Sequence, residues 1–228
     1  VPESTLQTRA DLELRSPISP DLHVPDRALA DTIKLADLTG VSLQHLRGAG
    51  GALRAATSDL PGDIGDVLPV GGGLAARPTD EKSDVRPVGG GLAARLTDDE
   101  WMLIMPEGAD APSQSEADFL VTVTDVSHGY GLLLVAGPRA PQILAKLCAL
   151  DFSESAFPDL HAEQTSLGNV RALVLRRDNQ DRRAYLIAVG RSVSEYVWEL
   201  LLDAAGEFEP TVVDGASLIR NLVEGTSN

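Results

Sequence analysis

Across 228 residues the chain carries 19 basic against 34 acidic side chains, a formal net charge of −15, which repels phosphate backbones and anionic headgroups and argues against nucleic acid or a membrane surface as partner. The apolar share of 43% is that of an ordinary globular protein, and no run of about 18 apolar residues exists to span a bilayer. The single cysteine, Cys148, excludes an intrachain disulfide and suits a reducing cytoplasm.

Residues 1–30 are expected to form an extended arm, because Pro2, Pro17, Pro20 and Pro25 interrupt a polar stretch and each proline removes a backbone donor. That opening has no basic start followed by an apolar run, so a secretory leader is not expected. The remainder, 31–228, reads as one domain. Val41, Leu43 and Leu46 give the loose alternation of a half-buried strand, broken by Gly48, Gly50 and Gly51. The following GGALRAATSDL reads as a short helix with Leu53 and Ala56 inward, ending before Pro61 and Gly62.

A near-perfect tandem copy comes next. DVLPVGGGLAARPTD (66–80) recurs 18 positions later as DVRPVGGGLAARLTD, differing only at Leu68/Arg86 and Pro78/Leu96. It lacks the Lys-Ser/Thr of a phosphate loop and the spacing of a dinucleotide fingerprint. A local duplication accounts for it, and only one copy fits the strand that runs on into WMLIMP. The second copy is expected to hold that place, since Leu96 continues the strand where Pro78 would interrupt it. Residues 62–84 then become an inserted, exposed loop.

Trp101–Met105 reads as a buried strand ended by Pro106, 107–117 as a polar connection, and Phe119–Val126 as a further strand. Asp125–Asp151 combines an acidic turn, the strand Leu132–Val135, a Gly137-Pro138 break and a helix with Pro141 early and Ile143, Leu144, Leu147 and Cys148 along one face. A weaker echo of this unit lies at Asp37–Leu53. Strands follow at Arg171–Arg176 and Ala184–Val189, joined by the charged turn RDNQDR. A helix then opens on a capping-box pair, Ser192 and Glu195, with Val193, Tyr196, Val197, Leu200, Leu201 and Ala204 inward and Trp198 beside that stripe. A strand at Pro210–Val213 and a helix at Leu218–Val223 close the chain. Both halves thus read strand, helix, strand, strand, helix. The expected fold is α+β, a pseudo-duplicated, ferredoxin-like arrangement of β-α-β-β-α units with mainly antiparallel sheet.

Little of the chain points to chemistry. Asp125, Ser127 and His128 contain the letters of a triad, but neighbours on an extended segment point to opposite sides, so a capped turn is the expectation. His23, His45, His128 and His161 have no metal-ligand spacing. Cys148 reads as a small buried apolar residue. Neither catalytic nor metal-binding residues are assigned.

The pieces DVSHGYGLLLVAGPRAPQILAKLCALDFSESAFP, Gln164-Thr165, RALVLRRD and SVSEYVWELLLDAA, strongest together over Gly89–Ala205, resemble the gamma-subunit family of heterotetrameric sarcosine oxidases. That family belongs to the folate-binding-domain superfamily of the glycine-cleavage aminomethyltransferases. The resemblance implies a bacterial cytoplasmic complex that oxidatively demethylates sarcosine, with alpha, beta and delta subunits as partners carrying FAD, FMN, NAD and tetrahydrofolate. The superfamily's Gly-Gly-x-x-Asp-Asp segment reads Gly90-Gly91-Leu92-Ala93-Ala94-Arg95 here, with alanines in place of both carboxylates. Its Gly-x-x-Gly-Glu loop reads Arg177-Asp178-Asn179-Gln180-Asp181-Arg182, which leaves Asp178 and Asp181 as the substitute acids for a pterin. A non-catalytic subunit is therefore expected. A free-standing folate-dependent one-carbon transferase and a scaffolding or regulatory homologue are the alternatives.

Overall fold

The computed structural model describes residues 16, 33–38, 40–48, 67–70, 91–97, 99–105, 121–178, 182–213 and 215. In chain order its strands are β1 (Lys34–Asp37), β2 (Ser42–Gly48), β3 (Val67–Val70), β4 (Gly91–Arg95), β5 (Glu100–Met105), β6 (Val121–Asp125), β7 (Tyr130–Ala136), β8 (Ala162–Leu167), β9 (Val170–Arg176), β10 (Ala184–Gly190) and β11 (Thr211–Val212). Among the described residues two α-helices join them: α1 (Ala140–Leu147) follows β7, and α2 (Ser194–Ala205) follows β10. The strands form a six-stranded sheet, β11-β1-β7-β10-β9-β8, and a five-stranded sheet, β3-β4-β5-β2-β6. Every pairing is antiparallel except β1 with β11. The architecture is sheet-dominated α+β with few helices among the described residues.

Period-two alternation decides the layering. Leu133, Val135, Tyr185, Ile187 and Val189 share one face of the six-stranded sheet with Ile143, Leu144, Val197, Trp198 and Leu201 of the helices. The intervening Leu132, Leu134, Leu186 and Ala188 point the other way, into a second core with Leu43, Leu92, Ala94, Met102 and Ile104 of the five-stranded sheet. On the far face of that sheet, Leu46, Ala93, Trp101, Leu103 and Met105 form a third cluster. The six-stranded sheet is thus covered by helices on one side and by a sheet on the other. β7 and β10 read as apolar runs because a strand buried on both faces has no solvent side to alternate toward.

The second glycine-rich copy forms β4 and pairs with β5, Leu92 opposite Ile104 and Arg95 opposite Trp101. The Leu96 N–H continues the ladder by donating to Glu100 O at 2.9 Å. Pro78, the matching residue of the first copy, has no N–H to donate. The insert is not wholly a loop, however. Val67–Val70 is β3, paired with β4 in the register Val67↔Ala94 to Val70↔Gly91. β3 is an edge strand, the one place in a sheet where Pro69 is tolerated.

Three further local differences have physical causes. Ala162–Leu167 was not expected as a strand, because AEQTSL is polar; as β8 it lies at the sheet edge with four of its middle positions at least partly exposed. Its hairpin to β9 turns on Gly168 and Asn169, both at positive φ (55° and 68°), the conformation of a two-residue type I′ loop. A Cβ at Gly168 would meet only the tip of the Leu200 side chain at close range, so it is the positive φ that favours glycine there. Second, α2 starts at Ser194, with Ser192 inside a preceding 3-10 turn (Arg191–Val193). Ser192 and Glu195 therefore make no capping box, and Ser194 Oγ instead donates to Gly190 O at 3.2 Å. Third, the inward stripe is Ser194, Val197, Trp198, Leu201, Ala204 and Ala205. Trp198 is fully buried, while Tyr196 is 44% exposed and donates through its hydroxyl to Gly168 O at 2.9 Å. Cys148 caps α1 in extended conformation rather than extending its apolar face, and is half-buried.

The expected helices at 50–60 and Leu218–Val223 and the connection at 107–117 lie outside the described residues, as does nearly all of the N-terminal arm. From the arm, Ser16 Oγ donates to the Asp37 carboxylate at the end of β1.

Trp198 and Tyr196 separate core from rim. Truncating Trp198 to alanine is expected to cost about 4 kcal/mol in urea or guanidinium unfolding, the usual range for a large buried aromatic. Tyr196→Ala, which loses one peripheral hydrogen bond, is expected to cost about 1 kcal/mol.

Candidate functional site

A polar cluster is built where β9 runs out of its apolar stretch. Arg176, the last residue of β9, is 2% exposed, and alternation puts its side chain on the helix-facing side with Ala172 and Val174. A guanidinium in such a place must have its N–H groups satisfied. Asp178 takes two of them in a fork, Nε to Oδ1 at 3.0 Å and Nη2 to Oδ2 at 2.6 Å. Glu154 Oε2 accepts from Nη2 at 2.9 Å and Phe157 O from Nη1 at 2.7 Å. Burial opposes the charge, yet the hydrogen bonds to Asp178 and Glu154 outweigh it and hold the guanidinium pKa above its ordinary value.

A second layer holds the first. Asp159 Oδ1 accepts the Asp178 backbone N–H at 2.7 Å, and its Oδ2 accepts from Arg177 at 3.3 Å. Arg183 reaches Glu154 at 3.2 Å. Backbone bonds from Leu160 N to Arg176 O and from Arg176 N to His161 O stitch the 151–161 segment to β9. Phe152, Phe157 and Tyr185 pack edge-on or tilted beside the cluster, with ring centroids 5.3 to 6.0 Å apart. His161 lies edge-on to Phe157 at 4.9 Å and its Nε2 is 3.2 Å from Glu163. Tyr185 is fully buried and its hydroxyl has no hydrogen-bond partner. Burial pushes that phenol up to about 12, against the opposing pull of Arg176.

This arrangement neutralises a buried cation. Asp178, one of the two substitute acids, is tied to Arg176 and to the Ala184 N–H at 3.4 Å. Asp181, the other, lies outside the described residues. Ala93 and Ala94 are both at 0% exposure, Ala94 in the core between the sheets and Ala93 in the cluster on the far face.

The triad letters resolve into a turn. Asp125 Oδ1 accepts from Ser127 N at 3.0 Å and Ser127 Oγ at 2.6 Å, and Ser127 Oγ accepts the Leu43 N–H at 2.9 Å. The serine ties the start of β7 to β2, and His128 is exposed on a 3-10 turn. Beside it, a shallow pocket lined in part by Val41, Leu43, Tyr130 and Arg191 has room for about one water. Burial raises the Cys148 thiol pKa, which leaves it a poor nucleophile. Among the described residues no three His, Cys, Asp or Glu side chains are grouped to hold a metal, and no helix is long and apolar enough to cross a membrane. Sequence reasoning missed Arg176 as the centre of the cluster. Its signal was an arginine at the end of an apolar run and two residues before an aspartate.

Residues 85–215 match the family described as the GCVT N-terminal domain, and the chain belongs to that family. The matched span runs from the second glycine-rich copy to the residues just after β11. Among curated proteins, "Sarcosine oxidase subunit gamma" of Corynebacterium sp. (strain P-1) is 34% identical over 113 residues, covering 48% of this chain and 54% of that protein. The protein of the same name from Arthrobacter sp. is 30% identical over 186 residues, covering 78% of this chain and 82% of its own length. Within the domain family, the chain groups with these sarcosine oxidase gamma subunits. A stretch of 104 residues is also 30% identical to part of the "Sarcosine oxidase subunit alpha" of Rhizobium meliloti (strain 1021), covering 10% of that much longer chain. Among solved structures, a chain of the heterotetrameric sarcosine oxidase from Corynebacterium sp. U-96 superposes with a TM-score of 0.66 at 24% identity, over 87% of this chain and 98% of that one. The glycine cleavage system aminomethyltransferase T from Bartonella henselae gives 0.55 at 16% identity, over 87% of this chain and 52% of that one, a likeness of fold.

Two outcomes are expected of the arginine cluster. Replacing Arg176 by methionine strands Asp178 without its counter-charge and should destabilise the chain by about 3 kcal/mol in denaturant titrations. Tyr185→Phe removes an unpaired buried hydroxyl and should raise stability by about 1 kcal/mol. The cluster also sets a pH dependence. Burial, the largest influence, raises the Asp159 carboxyl above the ordinary carboxylate value despite the hydrogen bond from Asp178 N. A carboxyl raised on folding binds its proton more tightly in the native state, so its contribution is complete below the unfolded value and is lost as pH rises through the folded one. Asp159→Asn should accordingly gain stability relative to the parent as pH rises from about 4 to 7, read as diverging unfolding midpoints.

Proposed function

We propose that this chain is the non-catalytic gamma subunit of a heterotetrameric sarcosine oxidase, contributing assembly and stability while partner subunits carry out the oxidative demethylation of sarcosine. The observation that carries the reading is the burial of Ala93 and Ala94 in apolar cores at the positions where aminomethyltransferases place carboxylates. A pterin presents paired N–H donors, and leaving them without a carboxylate costs on the order of 1–3 kcal/mol each. Asp178, the substitute acid that is described, is occupied by Arg176. On this reading the partners are alpha, beta and delta subunits. They hold FAD, FMN, NAD and tetrahydrofolate, and the assembly works in the bacterial cytoplasm.

The domain plan belongs to the same proposal, with an N-terminal arm over 1–30 and one folate-binding-like domain over 31–228. Its two halves are taken as ferredoxin-like repeats. Support comes from the strand orders: β6-β2-β5-β4-β3 in one sheet matches β11-β7-β10-β9-β8 in the other, position for position, once β1 is recognised as inserted between β11 and β7. With the edge strands β3 and β8 set aside, each order follows the split β-α-β plan, β5 lying between β2 and β4 and β10 between β7 and β9.

Titrating the purified chain with tetrahydrofolate is expected to give no saturable binding in the micromolar range. Affinity purification from its source cells is expected to recover flavin-containing partner chains, read by their visible absorbance. Micromolar folate binding by the isolated chain would instead favour a free-standing one-carbon transferase. Recovery of no flavoprotein would sink the subunit reading and leave a scaffolding or regulatory homologue.

A further inference from the structure

A strand at the margin of a sheet presents a row of main-chain donors and acceptors, and folded proteins blunt such rows with short strands, charge or proline. Among the described residues the two sheets end at four strands: β3, β6, β8 and β11. β11 is two residues long. β3 carries Pro69. β8 carries Glu163, and Glu163, Gln164 and Ser166 are exposed on it. β6 (Val121–Asp125) has no proline, and its first four residues, Val-Thr-Val-Thr, carry no charge. Its acid, Asp125, closes the strand and accepts from the main chain and hydroxyl of Ser127. Of the four edges, β6 is the one without a blunting device along its length.

Two backbone bonds fix which groups of β6 face outward. Val126 N donates to Leu43 O at 2.9 Å, and on the opposite side of β2 Gly48 N donates to Asp99 O at 3.0 Å. Alternation along β2 then directs the main-chain groups of Leu43, His45 and Arg47 to β6 and those of Gln44, Leu46 and Gly48 to β5. The residues of β6 opposite His45 and Arg47 are Thr124 and Thr122, so the N–H and C=O of Val121 and Val123 point away from the sheet. Side chains alternate across the same strand. Thr122 and Thr124 are exposed, while Val123 is half-buried against the far-face cluster of Leu46, Trp101, Leu103 and Met105. That cluster runs out to the last strand and ends at a side chain that one more strand would cover.

We infer, resting on the subunit reading above, that β6 is a docking edge that takes an extended segment of a partner subunit as the next strand of the five-stranded sheet. Main-chain bonds to Val121 and Val123 hold the segment, and an apolar, β-branched residue opposite Val123 completes the far-face cluster. A second copy of the chain is a poor occupant, because pairing β6 with itself brings together two molecules of net charge −15. The same charge favours a partner segment with basic residues on either side of the apolar one.

Amide hydrogen exchange, read residue by residue, tests this on the full chain alone and in its assembly with co-expressed partner subunits. In the isolated chain the amides of Thr122 and Thr124, which bond to β2, are expected to be protected, and that of Val123 to exchange freely. In the assembly the Val123 amide is expected to slow by about tenfold or more. Val123→Pro removes the outward donor without taking a bond from the β2 ladder. It is expected to lower the thermal midpoint of the isolated chain by no more than about 4 °C and to weaken assembly by roughly tenfold. Val123→Thr, which keeps the N–H, is expected to assemble as the parent does. The exchange experiment needs no variant and decides the matter where Val123→Pro does not fold. A Val123 amide already protected in the isolated monomer, or in a homodimer, overturns the docking edge in favour of another segment of the chain or a second copy. So does a folded Val123→Pro chain that assembles as the parent does. A parent chain that assembles with no flavin-containing partner sinks the subunit reading and the docking edge together, whereas assembly with Val123 still exchanging freely sinks the edge alone.

Discussion

The six-stranded sheet is buried on both faces, and most of the structure follows from that constraint. Backbone polar groups inside the sheet are satisfied by its ladders, so the cost to be met is the exposure of two apolar faces. Residues at odd positions of β7 and β10 need one cover and those at even positions need another. The helices supply the first through Val197, Trp198 and Leu201. The second requires a surface as broad as the sheet itself, and β2, β4 and β5 provide it with Leu43, Leu92, Ala94, Met102 and Ile104. Small side chains at Ala36, Ala94, Ala184 and Ala188 recur in this inter-sheet core. A carboxylate at Ala94 would have to be desolvated there, so an alanine at this position serves the packing.

Among the described residues charge enters the interior most deeply at Arg176, and on strict terms. Arg176 stands at the end of a strand whose preceding residues are apolar, so its guanidinium is held by Asp178, Glu154 and a main-chain carbonyl. Asp159 and Arg183 then occupy the outer sides of those acids. Asp178 is thereby committed to structure. A buried ion pair of this kind is modest as a source of stability, but removing one member leaves the other uncompensated.

Much of this was legible in the residues. The strands at 101–105, 130–136, 171–176 and 184–190 and the helices after Gly137 and Ser192 show strong periodicity or continuous apolar runs, and burial leaves that trace wherever a whole face is apolar. The preference for the second glycine-rich copy was legible as well, because proline's missing N–H is a local fact. The edge strands were not. β8 is polar, β3 carries a proline, and an edge strand is defined by the neighbour it pairs with more than by its own side chains. The start of α2 was misplaced because Ser192 and Glu195 have the spacing of a capping box while a 3-10 turn occupies the position the box requires.

What the sequence determined by itself is therefore whatever depends on neighbours along the chain: strand and helix periods, the arrest of strands at proline and glycine, the family, and the absence of carboxylates at 93 and 94. Tertiary structure decided what depends on neighbours across space. It put β1 between β11 and β7, made Trp198 and not Tyr196 the core aromatic, and turned Asp178 from a free acid into the partner of Arg176. The physical reason is one of range. Backbone preferences act over a few residues, whereas burial and charge pairing are settled by which segments, distant in sequence, come to lie within a few ångströms of one another.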